Sequence, residues 1–148
     1  MKPLIILLCT YVVTLLFMWF WSYEWYYRFA GNLGMSAMLL FTAIGHFAFS
    51  KGMVMMIPAI IPYKKQLVWF TGILEILAAI GLLIPDTRHQ TAGALLIFFI
   101  LILPANIYAA QHHIDYQKGT KDGDGLNYLW FRVPLQLFFI GWVWYFSW

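Results

Sequence analysis

Long apolar runs separated by short polar stretches dominate this chain. Five such runs cover Pro3–Ser22, Leu33–Phe49, Gln66–Pro85, Thr91–Ala110 and Tyr128–Ser147. Each is close to the ~17–25 residues that a helix needs to cross the hydrocarbon core of a bilayer. Lipid offers no partner for unpaired backbone groups, so helices are required there. The pattern predicts an all-α, polytopic transmembrane helix bundle with five spans, forming one membrane domain over residues 1–148. The segment Gly52–Tyr63 is mostly apolar but is interrupted by Pro58 and Pro62. It is too short to cross, and the prolines break a regular helix, so it is expected on or in the interface. Asp86–Gln90 reads as a short turn, and Gln111–Asn127, with Gly119, Gly123 and Gly125, as a longer solvated one. Asp122 and Asp124 lack the ligand spacing of a calcium loop. No internal repeat marks the paired halves of a transporter.

Composition sharpens this reading. Of 148 residues, 63% are apolar, 20% aromatic and only 10% charged, against about 25% charged in soluble domains. A chain this short hides only about two-thirds of its unfolded surface, so the remaining apolar area must face lipid. The first run begins like a signal peptide at Lys2, but it is too long. It ends in Trp19, Phe20, Trp21 and Tyr23, where a cleavage site needs small residues. It reads as a retained span whose aromatic belt continues through Trp25, Tyr26 and Tyr27.

Charge sets the expected orientation. Lys2, Lys51, Lys64, Lys65, Lys118 and Lys121 fall on one side, Arg28 and Arg88 on the other, which predicts a cytoplasmic N-terminus and an outer C-terminus. The net charge of +3 therefore reports topology. No basic stripe with interleaved aromatics lies outside the apolar runs, so nucleic-acid binding is set aside. Cys9 is the single cysteine, which rules out an intrachain disulfide.

Ionisable residues inside spans are costly and usually face the bundle interior. His46, Glu75 and Arg132 are such residues, accompanied by the neutral Asn106 and Gln136. At ~1.5 Å rise per residue, Glu75 lies roughly 14 Å from the inner start of its span. The other four also fall in the inner half, so four helices contribute to one polar layer. Thr42 and Gly45 accompany His46, and Gly72, Ala78 and Ala79 accompany Glu75, as small residues on faces that approach a neighbour. Each polar residue also has a plain structural reading. Glu75 and His46 can be satisfied core groups, Arg132 can snorkel to the interface, and Asn106 and Gln136 can join helices, with Asn106 serving a carbonyl freed by Pro104. His112 and His113 are adjacent and do not share a helix face, and His89 lies on the other side, so no metal site is expected.

Several short motifs carry a resemblance. They are Ala43-Ile-Gly45-His46-Phe47, Met56-Ile-Pro58 with Ile61-Pro62, Thr71-Gly72-Ile-Leu-Glu75, Gly81-Leu-Leu-Ile-Pro85, Leu103-Pro104-Ala105-Asn106-Ile107-Tyr108, and Phe131-Arg132-Val-Pro134-Leu-Gln136. In this order and spacing, over about residues 33–147, the chain resembles the DoxX-like family of small bacterial inner-membrane proteins. That family has four spans, so Pro3–Ser22 is an additional N-terminal helix. The resemblance implies an association with quinone-linked or sulfur oxidation, and a distant similarity to the EXPERA membrane fold of sterol isomerases and lipid-binding proteins.

Three functional readings stay open. The leading one is an accessory or ligand-binding protein of redox metabolism in the bacterial inner membrane, beside a membrane oxidoreductase partner. Its polar pocket would take a quinone or other isoprenoid lipid, held by Asn106, Arg132 and Gln136 together with Glu75 and His46. The second is a small isomerase or oxidoreductase in which Glu75 and His46 are catalytic and move a proton on an apolar substrate. The third is a structural subunit whose polar layer sets helix register.

Overall fold

The computed structural model describes residues 2–23 and 25–148 and, at residue 22, the backbone alone. Its helices are α1 (Lys2–Ser22), α2 (Tyr27–Ala48), α3 (Ser50–Met55), α4 (Lys64–Leu83), α5 (Pro85–Gln111) and α6 (Asn127–Ser147). No strand occurs among the described residues, where a single antiparallel bridge joins Asp115 and Thr120.

Helices α1, α4 and α5 are long and apolar enough to cross a membrane, with mean hydropathies of 2.3, 1.9 and 2.2 over their candidate spans. Three such helices in so short a chain are consistent with a membrane protein. Helices α2 and α6, of 22 and 21 residues, are similar in length but more polar. The difference lies in groups such as Asn32 and Ser36 on α2 and Gln136 on α6, all of which are buried.

Four helices close a ring, α2 on α4, α4 on α5, α5 on α6 and α6 on α2. They alternate in direction. Ser36 near the start of α2 bonds to Ala79 near the end of α4, whereas His46 at the end of α2 meets Val68 near the start of α4. Helix α1 lies outside the ring, mainly against α2, and Tyr11 reaches the rings of Trp142 and Phe146 on α6. The core within the ring is built from Met35, Met38, Leu39, Leu82, Leu95, Phe99, Phe139 and Val143, with Leu7 of α1 added from one side. Large side chains point outward along the same helices, including Ile44, Leu77, Leu101 and Leu137.

One connection differs from the sequence expectation. Asp86–Gln90 is not a turn but the start of α5. Pro85 occupies the first helical positions, where its missing N–H is no loss, and Asp86 complements the helix dipole. Ile84 alone links α4 to α5, and Arg88 Nε folds back to donate to Leu82 O at 3.0 Å. The stretch after α5 is a largely exposed loop with hydrogen bonds of its own. Asp115 Oδ1 accepts from the backbone N–H of Gln117 and Lys118, and Gly123 N donates to His113 O at 2.7 Å. The Thr120 hydroxyl bonds to Asp122 and holds its carboxyl below the usual range. This loop is seated on α3 at Gly52, where a Cβ would stand 1.9 Å from Tyr116 O. The segment Gly52–Tyr63 holds most of the six-residue α3 and an irregular stretch, anchored by Lys64 Nζ donating to Ile57 O at 3.0 Å. Pro58 and Pro62 lie in that irregular stretch.

Candidate functional site

Glu75 sits on the inner face of α4 and is 5% exposed. Gly72, one turn earlier, lets α2 approach: a Cβ there would stand 2.9 Å from His46 Cβ. The close approach brings His46 Nε2 to 3.4 Å from Glu75 Oε1, an ion-pair distance at the long end of hydrogen bonding. The other ring nitrogen fixes the tautomer. His46 Nδ1 lies 3.0 Å from Val68 O, which can only accept, so Nδ1 carries a hydrogen. The Thr71 hydroxyl donates to the same carbonyl at 2.8 Å, which leaves its oxygen free to accept from Nδ1 at 3.1 Å. Nε2 therefore faces the carboxyl either as the donor of an imidazolium or as the acceptor from a carboxylic acid.

The second carboxyl oxygen, Glu75 Oε2, is buried and has no hydrogen-bond partner among the described residues. Glu75 also lines a half-open cavity of about 80 Å³ between the helices. All four ring helices contribute to its wall: Met38, Leu39 and Thr42 from α2, Glu75 from α4, Phe99, Ile102 and Asn106 from α5, and Arg132, Leu135, Gln136 and Phe139 from α6. The wall is apolar apart from Thr42, Glu75, Asn106, Arg132 and Gln136. A buried polar atom without a partner costs about 1–3 kcal/mol, so an orphan oxygen on a cavity residue is the most distinctive feature of this layer.

Asn106 and Gln136 form a linked pair. Asn106 Nδ2 donates to Gln136 Oε1 at 3.3 Å, and Gln136 Nε2 donates to Phe99 O. Pro104 removes the donor for the carbonyl of Ile100; it is the neighbouring carbonyl, that of Phe99, which Gln136 serves, and Asn106 acts through Gln136. Arg132 turns away from Glu75. Its Nε donates to Tyr128 Oη one turn back, and its guanidinium lies 5.0 Å from the Tyr128 ring and 5.7 Å from the Tyr116 ring. No ion pair joins it to Glu75 among the described residues. Of the five polar residues singled out from sequence, Glu75, Asn106, Arg132 and Gln136 line one cavity, and His46 supports it from behind Glu75. Thr71, which completes the histidine's surroundings, carried no sequence signal beyond standing in the Thr-Gly-x-x-Glu run.

A second buried polar cluster lies toward the opposite end of the ring. Asn32 Nδ2 donates to Phe146 O at 2.9 Å, Ser147 Oγ donates to Asn32 Oδ1 at 2.7 Å, and Ser36 Oγ donates to Ala79 O at 2.8 Å. These bonds tie α2 to α6 and α4. Asn32, Ser36 and Ser147 were not distinguishable in sequence, because single small polar residues in an apolar run carry no periodic signal. His89 packs on Trp148, and His112 stacks on Tyr108.

No curated protein and no solved structure matches the chain. The Domain of unknown function (DUF8561) is matched over residues 35–147, from the first core turns of α2 to the end of α6 and so without α1, and the chain belongs to that family.

Proposed function

We propose that this protein spans the membrane five times and binds an apolar molecule by its polar end in the cavity beside Glu75. The reading as five spans is supported by the outward faces of α2 and α6. Leu40, Phe41, Ile44 and Phe47 are exposed on α2, and Leu137, Phe138, Trp144 and Tyr145 on α6. Their polar groups are turned inward, so the helices are lipid-compatible despite a lower mean hydropathy. The lysine asymmetry supports a cytoplasmic N-terminus. The resemblance of the motifs to those of the DoxX-like family supports a bacterial inner membrane and a redox setting with an oxidoreductase partner.

The observation that carries the binding reading is Glu75 Oε2, buried and without a hydrogen-bond partner among the described residues, on a residue that lines a cavity walled by four helices. A ligand hydroxyl would supply the missing partner by donating to Oε2, whereas a ligand carbonyl would accept from Oε2 in its protonated form. The cavity of about 80 Å³ is smaller than the ~150 Å³ that accommodates benzene. It therefore accepts the oxygen-bearing tip of a quinol, quinone or isoprenoid alcohol, while the ring and tail lie between helices toward lipid.

The test is mass spectrometry of small molecules extracted from protein purified in mild detergent. An apolar, oxygen-bearing molecule should accompany the native protein at near-stoichiometric level and fall at least tenfold in Glu75→Gln, with the melting temperature little changed. Equal retention in both proteins would refute this site. The paired geometry of His46 and Glu75 favours a second reading, proton transfer on the bound molecule. Turnover of the extracted compound by the native protein, and its loss in His46→Gln, would distinguish an enzyme from a binder.

A further inference from the structure

A second, larger cavity of about 420 Å³ opens beneath the loop that follows α5. Its wall includes Asp115, Tyr116, Lys118, Asp122 and Asp124, so it is polar and faces solvent. Two residues of α6, Arg132 and Leu135, line both this surface cavity and the one beside Glu75. The two spaces are thus neighbours across one layer of side chain. Leu135 is 8% exposed and packed in the core, whereas Arg132 is half-buried and is held only at its tip, by the Tyr128 hydroxyl and the Tyr116 and Tyr128 rings.

We propose that the two cavities are chambers of one aqueous route, with Arg132 as its partition, through which water on the loop side reaches the Glu75–His46 pair. This rests on the reading of the chain as a membrane-spanning bundle and adds a sided supply to the site. Three observations carry it. The buried, unpartnered Glu75 Oε2 is the kind of group that recruits water. The cavity beside Glu75 has room for several waters, each of which needs roughly 10–15 Å³ of such space, with Asn106 and Gln136 as further partners. The Arg132 side chain between the two cavities is long and flexible, and the partners described for its guanidinium are Tyr128 on the same helix and Tyr116 on the loop, so its movement requires no change in helix packing.

Silver ion is a small, water-soluble thiol reagent that tests the route without any ligand. The background is Cys9→Ala, and the reporter is Asn106→Cys in the cavity beside Glu75. The control is Leu101→Cys on the exposed face of the same helix, 71% exposed in the absence of lipid. Protein in sealed vesicles is exposed to silver nitrate, and the thiol remaining is counted with a maleimide after denaturation. The thiol at position 106 should react at least tenfold faster than that at position 101, and faster from the loop side than from the opposite side. Adding Arg132→Ala should raise its rate about tenfold. Tyr128→Phe, a milder change that removes only the hydroxyl holding Arg132, should raise it several-fold, so the result does not depend on the alanine variant folding. Equal rates at positions 106 and 101 would overturn the route. Rates at position 106 unchanged by both Arg132→Ala and Tyr128→Phe would overturn the partition. Rapid reaction at both positions would overturn the membrane reading beneath it. Ligand retention in Glu75→Gln is a separate measurement, so a failed route and a failed binding site are told apart.

Discussion

Glycine 72 is the residue on which the His46–Glu75 contact depends. Glycine inside a helix is otherwise unfavourable by about 1 kcal/mol relative to alanine, and here its value is the space it leaves for α2. A Cβ at this position would meet His46 Cβ at 2.9 Å and the Phe47 ring at 3.3 Å. Gly72→Ala is expected to lower stability by about 1–3 kcal/mol through overpacking and to reduce ligand retention. Gly93→Ala is the comparison, because a Cβ there meets nothing within 4 Å; it should be neutral or slightly stabilising in thermal melts in mild detergent. Asn32 makes a different case. Asn32→Leu strands the Ser147 hydroxyl and the Phe146 carbonyl, and each buried group left without a partner costs about 1–3 kcal/mol. Stability should fall while ligand retention in the surviving protein is unchanged, since this cluster lies away from Glu75. Equal loss of ligand in Asn32→Leu and Glu75→Gln would show that the two polar clusters act as one.

Among the elements, the loop after α5 and the short α3 depend on each other. The carbonyl of Tyr116 rests against Gly52, and Tyr116 in turn offers its ring to Arg132. Backbone against backbone leaves no flexible side chain to yield, so Gly52→Val should lift the loop from α3. Hydrogen exchange of the amides from Asp115 to Thr120 should accelerate, while helical content stays constant; unchanged protection would mean that the loop holds itself together without α3. The same packing bears on topology. Helix α3 has six residues and α2 and α4 run in opposite directions on either side of it, so Lys51 and Lys64 should be labelled from the same side of the membrane.

At the scale of the whole molecule, the ring of α2, α4, α5 and α6 carries the polar layer, and α1 is added to its outside. The matched family region begins at residue 35 and so contains most of the ring without α1. Reporter fusions give the orientation of this array. A reporter active only outside the cytoplasm should work when fused after Trp148 and fail when placed in the loop between α5 and α6. The reverse pattern would invert the orientation drawn from the lysines, and with it the side from which Glu75 is reached.

Helix class and approximate position were legible in the chain because an apolar run of this length has one regular solution in lipid, a helix with its backbone bonds satisfied internally. The five polar candidates were legible for the same reason, since His46, Glu75, Asn106, Arg132 and Gln136 stand out only against an apolar background. Tertiary structure decided what they do to one another. It paired His46 with Glu75 through a glycine, joined Asn106 to Gln136, and turned Arg132 toward two tyrosines, one of them on a loop distant from α4. It also showed that Asp86–Gln90 is helical, because Pro85 starts a helix, an effect of backbone geometry that hydropathy does not register. Asn32, Ser36 and Ser147 came together only on folding. A hydrogen bond between α2 and α6 joins residues more than a hundred positions apart, and local pattern holds no record of which small polar residue will find which carbonyl.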